Sequence, residues 1–190
     1  LETLIPQLIT QKAIALGLKF MKDRLNDEDG LGGIFPAIAN SLMVFDCLGY
    51  EKGDPRVVSA RKAIDNLVVI KDDEAYCQPC LSPVWDTGLS AHAVLEAHIK
   101  KTDLLDQSFE WLKKLQILDQ IGDWAHRRKH LKPGGWAFQF RNDLYPDVDD
   151  TGMVLMSLIR AGVHDKELKI KRLNQAVNWV LGMQNPDGSW

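Results

Sequence analysis

Pro83-Val84-Trp85-Asp86-Thr87-Gly88 and Pro146-Asp147-Val148-Asp149-Asp150-Thr151-Gly152 are two copies of one segment, and this repeat decides the fold. The copies align once a single residue is inserted, which places Trp85 opposite Asp149 and Asp86 opposite Asp150. Self-similarity with a period of tens of residues is typical of architectures built from stacked supersecondary units. The repeat therefore predicts two equivalent units that begin at these segments.

Each unit closes on a Gly-x-Trp turn. Gly122-Asp123-Trp124 closes the first unit, and Gly188-Ser189-Trp190 closes the second. Gly134-Gly135-Trp136 adds a third copy between them, and a weaker closure at Asn26–Gly32 lacks the tryptophan. The turns divide the chain into segments of a length that suits helical hairpins.

Helix signals recur between the turns, whereas strand signals are few. Leu105, Phe109 and Leu112 form one stripe of an amphipathic helix from about Asp103 to Gln116. The same spacing predicts a second amphipathic helix, with the stripe Ile170, Leu173, Val177 and Leu181. Two segments are apolar on most sides, as buried helices are: Thr87–Ile99 and Gly152–Ala161. The sequence predicts an all-α fold whose hairpins of one inner and one outer helix form a solenoid or close into an α/α toroid.

Composition narrows the function. The formal net charge of −3 gives no general reason to expect nucleic acid as a partner. No apolar run approaches the roughly 20 residues of a membrane span, although attachment to a membrane surface stays open. Leu1–Gln11 has no signal-peptide features, and Trp190 is a bulky last residue directly after a turn. We therefore expect a soluble piece of a longer protein.

The cysteines and the charged runs receive simple interpretations. Cys47, Cys77 and Cys80 are an odd number, and a zinc site would need a second ligand pair. The last two have redox-motif spacing but no strand pattern before them, so we expect structural thiols in a reduced cytosol. Lys71–Glu74 reads as a charged linker. His126–His130 reads as a solvated loop, with anionic lipid headgroups as the alternative.

Three carboxylates within four residues, Asp147, Asp149 and Asp150, need an explanation because their charges repel. Asp150, like Asp86 in the other copy, suits a helix start, where a carboxylate accepts free backbone N–H groups. Calcium is a second interpretation, since the spacing matches the first half of an EF-hand loop. Leu158, however, stands where that loop carries its bidentate Glu.

Magnesium with a diphosphate and acid chemistry are the other interpretations of these carboxylates. Magnesium would need further ligands on the same helix face, where Met153 and Val154 stand. Acid chemistry needs one retained proton, and crowded carboxylates keep one at neutral pH. Such an acid in a dry cavity can protonate an alkene, and aromatic ring faces stabilise the carbocation. The nearby aromatic residues are Trp85, Trp136, Phe138, Phe140 and Tyr145.

Four motifs resemble those of one family, the squalene–hopene cyclases. Gln184-x-x-x-Gly188-x-Trp190 resembles the QW repeat of triterpene cyclases, a structural repeat. Tyr145–Thr151 resembles the family's Asp-x-Asp-Asp-Thr acid motif. Two further segments are similar to family signatures: Lys132–Phe140 and Ser82–Thr87.

The resemblance implies an enzyme that cyclises squalene without metal or organic cofactor. Asp149 would donate the proton to the terminal double bond, and Asp147 and Asp150 would tune and orient it. The family's donor is paired with a histidine that no histidine of this sequence matches. We therefore expect the 190-residue chain alone to be inactive.

The resemblance also implies residues that face the substrate. Trp85, Asp86 and Phe138 would face the polyene and its developing cations. Phe35 stands where family members often carry a Gln that helps to hold a water at the terminating end. The choice between hopene, formed by proton loss, and hopanol, formed by water capture, stays open.

The family's two α/α barrels, one inserted into the chain of the other, imply the domain organisation. Residues 1–80, where the likeness is looser, would be the tail of the inserted barrel. Residues 81–190 would begin the catalytic barrel. The resemblance further implies a bacterial enzyme that is monotopic at the cytoplasmic face of the membrane and takes squalene from the bilayer. The sequence leaves a homodimer open.

Two other functions remain open from the sequence. A class II diterpene cyclase shares the Asp-x-Asp-Asp pattern but acts on a prenyl diphosphate and needs Mg²⁺; the dense Gly-x-Trp turns favour the triterpene enzyme. A non-catalytic α/α binding scaffold would have solvated acids, and it does not explain the aromatic residues around them.

Overall fold

Helices account for most of the described residues, and they fall into two units. The structure, a computed structural model, describes residues 6–27, 29–98, 102–162 and 169–190, and only the backbone of residues 169 and 170. The first unit is Leu1–Leu81 and the second is Ser82–Trp190. The all-α prediction is confirmed.

Three α-helices lie in the described part of the first unit: α1 (Gln7–Arg24), α2 (Phe35–Cys47) and α3 (Pro55–Leu67). Proline in the first turn starts α2 and α3, because its fixed φ suits that position and its missing N–H is not needed there. Asp54 caps α3 by accepting the backbone N–H of Arg56 at 2.9 Å. The core of this unit consists of Met21, Ile38, Phe45, Val57, Ala60, Ala63 and Leu67.

Two short antiparallel hairpins, which the sequence did not predict, also lie in the first unit. Strands β1 (Leu25–Asn26) and β2 (Gly30–Leu31) pair across a tight turn. Strands β3 (Val68–Ile70) and β4 (Ala75–Cys77) pair in the register Val68 with Cys77, Val69 with Tyr76 and Ile70 with Ala75.

The second hairpin corrects two interpretations of the sequence. Lys71–Glu74 is not a linker but its turn, closed by the Lys71 N–H to the Glu74 carbonyl at 2.8 Å and by their ion pair at 2.7 Å. A strand does precede Cys77 and Cys80, contrary to expectation. The described residues there nevertheless form a hairpin, whereas the redox motif is found beside a βαβ unit.

The described residues of the second unit contain four α-helices: α4 (Pro83–Glu96), α5 (Asp103–Lys114), α6 (Val148–Arg160) and α7 (Asn174–Met183). A 3₁₀ turn lies at Asp123–His126, and a π-turn at Lys169–Leu173 directly precedes α7. As predicted, α5 buries Leu105, Phe109 and Leu112. The core consists of these residues together with Val84, Ala91, Trp136, Val154, Leu155, Leu158 and Ala176.

Helices α4 and α6 are the two predicted inner helices, and they pack directly on each other. The space beside Gly88 is filled by Met153 and Val154, and the Ser157 hydroxyl donates to the Gly88 carbonyl at 2.7 Å. Each helix begins about four residues earlier than predicted, and Ile99 lies outside the described residues.

The prediction that these helices are buried on most sides is wrong for the described residues. Each buries one face, and apolar side chains elsewhere on them are about half exposed: Leu89, Met156 and Ile159.

The predicted stripe of the last helix is only partly right. Leu173 packs against the core. Ala176 and Trp179 are the buried residues of α7, whereas Val177 and Leu181 are exposed. The side chain of Ile170, the first residue of the predicted stripe, is not among those described.

Candidate active site

The acid loop comprises residues 141–147 and leads into α6. Its last residue is hydrogen-bonded to Trp136, whose side chain is fully buried. The Trp136 indole N–H donates to the Leu112 carbonyl at 2.6 Å, which ties the loop to α5. Its backbone N–H donates to the Thr151 hydroxyl at 2.9 Å, and its carbonyl accepts the Asp147 N–H at 3.1 Å. The indole and backbone of one residue therefore fix the start of α6.

The two glycines before Trp136 are required by close packing. A Cβ at Gly135 would lie 2.8 Å from the Thr151 hydroxyl oxygen and 3.0 Å from the Trp179 ring. The Gly134 carbonyl accepts the side-chain amide of Gln116 at 2.8 Å. The Gly-Gly-Trp segment, which we call the Gly-Gly-Trp bracket, thus contacts α5, α6 and α7 and holds them together.

Asp147 is the residue that caps α6. Its carboxylate accepts the Asp150 N–H at 2.8 Å, and its carbonyl accepts the Thr151 hydroxyl at 2.6 Å. The expectation that Asp150 and Asp86 are the capping residues is therefore wrong. Asp150 lies three residues into the helix, and Asp86 lies a turn after Ser82, whose hydroxyl donates to it at 2.8 Å.

Asp150 is buried, with only 2% of its surface exposed. One of its carboxyl oxygens is buried without a hydrogen-bond donor among the described residues. Burial, together with the charge of Asp147 and a hydrogen bond to it, raises the pKa of Asp150 from 3.8 to about 8. Burial also raises the pKa of Asp147. At neutral pH, Asp150 therefore keeps a proton and donates it in a hydrogen bond to the Asp147 carboxylate.

Asp149 is the exposed member of the three carboxylates. Its charge adds to the raised pKa of both Asp147 and Asp150, so the three groups form one electrostatic cluster. Asp86 contributes in the same way to Asp150, which places the first turns of α4 and α6 side by side. Asp149 is the group of the cluster that a bound molecule can touch.

The predicted aromatic residues are only partly brought together. Trp85, in the first turn of α4, and Phe138, two residues after Trp136, are half-buried. Phe140 lies edge-on to Trp111, with ring centroids 6.3 Å apart. Tyr145 is exposed.

Phe35 belongs to the first unit, where it begins α2. It is 40% exposed, and its backbone N–H donates to the Pro79 carbonyl at 2.9 Å.

The Gln184, Gly188 and Trp190 repeat forms a closed turn after α7. The Gln184 amide donates to the Gly188 carbonyl at 2.8 Å, and Gly188 has φ +89°, which favours glycine. The Trp190 indole N–H donates back to the Val180 carbonyl at 2.8 Å. The residues of the motif thus serve to end the helix.

Sequence reasoning missed three residues that hold the site. Thr151 bridges Trp136 and Asp147, and Gln116 binds the Gly134 and Arg172 carbonyls. Arg128, assigned to a solvated loop or a lipid contact, instead donates to the carbonyls of residues 182–184 at the end of α7 and to Asn185. Periodicity carries no signal for such contacts between distant residues.

The described residues contain neither a metal-binding cluster nor a membrane-spanning helix. No group of three or more His, Cys, Asp or Glu side chains in this part of the chain has a metal-binding arrangement. Leu158, at the last EF-hand position, is buried in the core. None of the described helices combines the length and apolar character needed to cross a bilayer.

Comparison with protein families gives two matches that together cover most of the chain. The model of the squalene-hopene cyclase C-terminal domain matches residues 81–190. The model of the squalene-hopene cyclase N-terminal domain matches residues 1–73. Such domains form an α/α toroid, so the predicted fold class is confirmed.

Similar proteins occur in bacteria and fungi. The squalene–hopene cyclase of Zymomonas mobilis is 47% identical over 97% of the chain. The enzyme of that name from Bradyrhizobium diazoefficiens is 46% identical over 100% of it. The one from the fungus Schizosaccharomyces japonicus is 42% identical over 98%. The chain spans about 30% of the length of these relatives.

Proposed function

The chain belongs to the squalene–hopene cyclase family, and we propose that the complete protein cyclises squalene to hopene or hopanol. Formation of hopene is an isomerisation, because the proton added at the start is lost at the end. Formation of hopanol adds a water to the last cation. Neither product requires a metal or an organic cofactor.

The observation that carries the proposal is the division of labour among the three carboxylates. Asp147 and Asp150 are tied to the first turn of α6 and share one proton. Asp149 is exposed beside them, so it is the carboxyl group that can reach a double bond. We assign Asp149 as the proton donor, with Asp147 and Asp150 orienting the turn that presents it.

The proposed first step moves one proton and one electron pair. Asp149 must first carry a proton, which it takes from water or from the neighbouring protonated Asp150. The π electrons of the terminal double bond then take that proton to form a C–H bond, and the O–H electron pair stays on the Asp149 carboxylate. The other carbon becomes a cation, which the next double bond attacks. Trp85 and Phe138 supply ring faces that stabilise the successive cations. Asp86 lines the same side of the substrate cavity. Phe35 belongs to the terminating end, where it adds no hydrogen bond to a water.

The domain map and the cellular site belong to the same proposal. Residues 1–80 are the tail of the inserted barrel, and residues 81–190 begin the catalytic barrel. The complete protein takes squalene, a hydrocarbon, from the bilayer and works as a monotopic protein at the cytoplasmic face. A homodimer is compatible with this arrangement.

The central test is Asp149→Asn in the complete protein, assayed with squalene in detergent. An amide cannot deliver the proton, so we expect product formation to fall by at least about 10²-fold. Asp143→Asn, an exposed carboxylate of the same loop, is the matched control and should keep wild-type turnover. Near-normal activity of Asp149→Asn with unchanged circular dichroism would remove Asp149 from the donor role.

The same assay tests the remaining assignments. Trp85→Ala and Phe138→Ala should release partly cyclised products, because lost ring faces leave intermediate cations unprotected. EDTA should not change turnover, and the 190-residue chain alone should be inactive. A strict Mg²⁺ requirement, with turnover of geranylgeranyl diphosphate but not of squalene, would instead establish a diterpene cyclase.

A further inference from the structure

The first Gly-x-Trp turn touches the acid loop at a point where there is no space for a side chain. A Cβ at Gly122 would lie 2.8 Å from the Leu144 carbonyl carbon and closer still to its oxygen. Cβ atoms essentially never come within 3.0 Å of another heavy atom, and the two opposing atoms of Leu144 are backbone; the Trp124 indole nitrogen would lie 2.9 Å away. Gly122 has φ −109°, which any residue adopts. The requirement for glycine at this position is therefore one of space alone.

A hydrogen bond at the same place fixes the distance between the two segments. The Asp123 N–H donates to the Leu144 carbonyl at 2.9 Å. Leu144 precedes Asp147, the cap of α6, by three residues, and Pro146 between them is buried. The short, stiff connection transmits the position of Leu144 to the carboxylates.

The tryptophan of the turn packs against α7. The ring of Trp124 lies edge-on to Trp179, with centroids 6.4 Å apart and planes at 87°. Trp179 in turn faces Gly135, whose other neighbours are Thr151 and Pro146. The turn at residues 122–124 thus contacts the chain before the acids directly, and it contacts Trp179, which packs beside Gly135.

We propose that the turn Gly122-Asp123-Trp124 positions the acid group, and that Gly122 is a positioning residue of the enzyme. This inference rests on the proposed function for its effect on turnover, while its effect on the carboxyl groups can be measured without substrate.

The test compares Gly122→Ala with Gly152→Ala in the complete protein. Both changes add one methyl group, but a Cβ at Gly152 meets nothing within 4 Å, although Gly152 is closer to the acids in sequence. We expect Gly122→Ala to lower kcat for squalene by about 10- to 100-fold, because displacing a reacting group by up to about 1 Å has effects of this size. KM should stay within about threefold. Gly152→Ala should match the wild type.

A titration distinguishes positioning from a general loss of stability. The carboxylic C=O infrared band of Asp150, assigned by its loss in Asp150→Asn, is measured against pH in the folded protein. In Gly122→Ala a displaced loop admits water to Asp150, so the band should disappear at a lower pH than in the wild type. An unchanged titration together with an unchanged kcat would overturn the inference.

Two further outcomes keep the inference testable. If Gly122→Ala does not fold, Trp124→Phe is the test variant, because it keeps an aromatic ring but reduces the contact area with Trp179. A shift of the titration in the same direction supports the positioning role, and wild-type behaviour overturns it. If the wild-type protein does not cyclise squalene, the proposed function fails, and the titration alone still decides the role of Gly122.

Discussion

Replacing the buried acid Asp150 with asparagine should stabilise the second unit at alkaline pH. In the folded chain Asp150 has a pKa of about 8, against an ordinary value of 3.8. Between these values the folded state holds a proton that the unfolded state releases. The proton on Asp150 therefore contributes fully to the stability of the wild-type fold below about pH 4. This contribution falls as the pH rises and is lost above about pH 8. The amide is neutral throughout and can still donate to Asp147.

The magnitude is set by the width of this window. Each pH unit between the two pKa values is worth up to about 1.4 kcal/mol, so the whole window has a ceiling of about 6 kcal/mol. Water that enters the first turn of α6 on local opening screens part of the charge, and we expect about 3 kcal/mol. Asp150→Asn should thus exceed the wild type by about this amount at pH 8.5 and match it at pH 4.

Tryptophan fluorescence during urea denaturation is a suitable assay. All six tryptophans lie in Ser82–Trp190, so the signal reports the unit that contains Asp150. Asp119→Asn, an exposed carboxylate in the same unit, is the control for a simple change of net charge. The reasoning fails if the wild type is equally stable at pH 4 and pH 8.5 relative to that control. It also fails if Asp150→Asn is the less stable protein at pH 8.5.

Two further predictions use the same fluorescence assay. Ser157→Ala removes the buried hydrogen bond to the Gly88 carbonyl and should lower the free energy of unfolding by about 1 kcal/mol. Ser108→Ala removes an exposed hydrogen bond within α5 and should change the free energy of unfolding by less than about 0.5 kcal/mol. Arg128→Gln should lower it by about 1–2 kcal/mol because the end of α7 loses its charged donor, and Arg127→Gln at the exposed neighbouring position should have no measurable effect. Equal losses within either pair would contradict the assigned contacts.

The sequence predicted best where a regular period carried the structure. The stripe of α5 is uninterrupted, and its three apolar residues are the ones the structure buries. The stripe that leads into α7 has the same spacing, but Val177 and Leu181 are exposed while Ala176 and Trp179 are buried. A period shows that a helix has an apolar face, whereas the residues that are covered depend on what packs against the helix.

The sequence proposed the residues of the candidate site but did not predict the contacts between them. The acids, Trp85 and Phe138 were identified from motifs, whose chemistry is visible in the residue types. The identity of the capping residue was not, because Asp147 and Asp150 are equally good caps by type. Contacts between Trp136 and Thr151, or between Gln116 and Gly134, join residues far apart in sequence, and no local rule predicts them.

The two copies of the repeat differ in how their aspartates are covered. Both contain Asp-Thr-Gly in the first turn of a helix, yet Asp150 is buried and Asp86 is exposed. The motif is the same, so the difference comes from what covers it. Around Asp150 the Gly-Gly-Trp bracket brings Trp136 against Thr151, and Asp147 supplies a second carboxylate. Asp86 has the Ser82 hydroxyl, a neutral partner open to water. A carboxyl group retains its proton when burial and a neighbouring charge act together. The carboxyl group of the second copy therefore retains its proton because of the loop inserted between the repeats, and not because of the repeated motif itself.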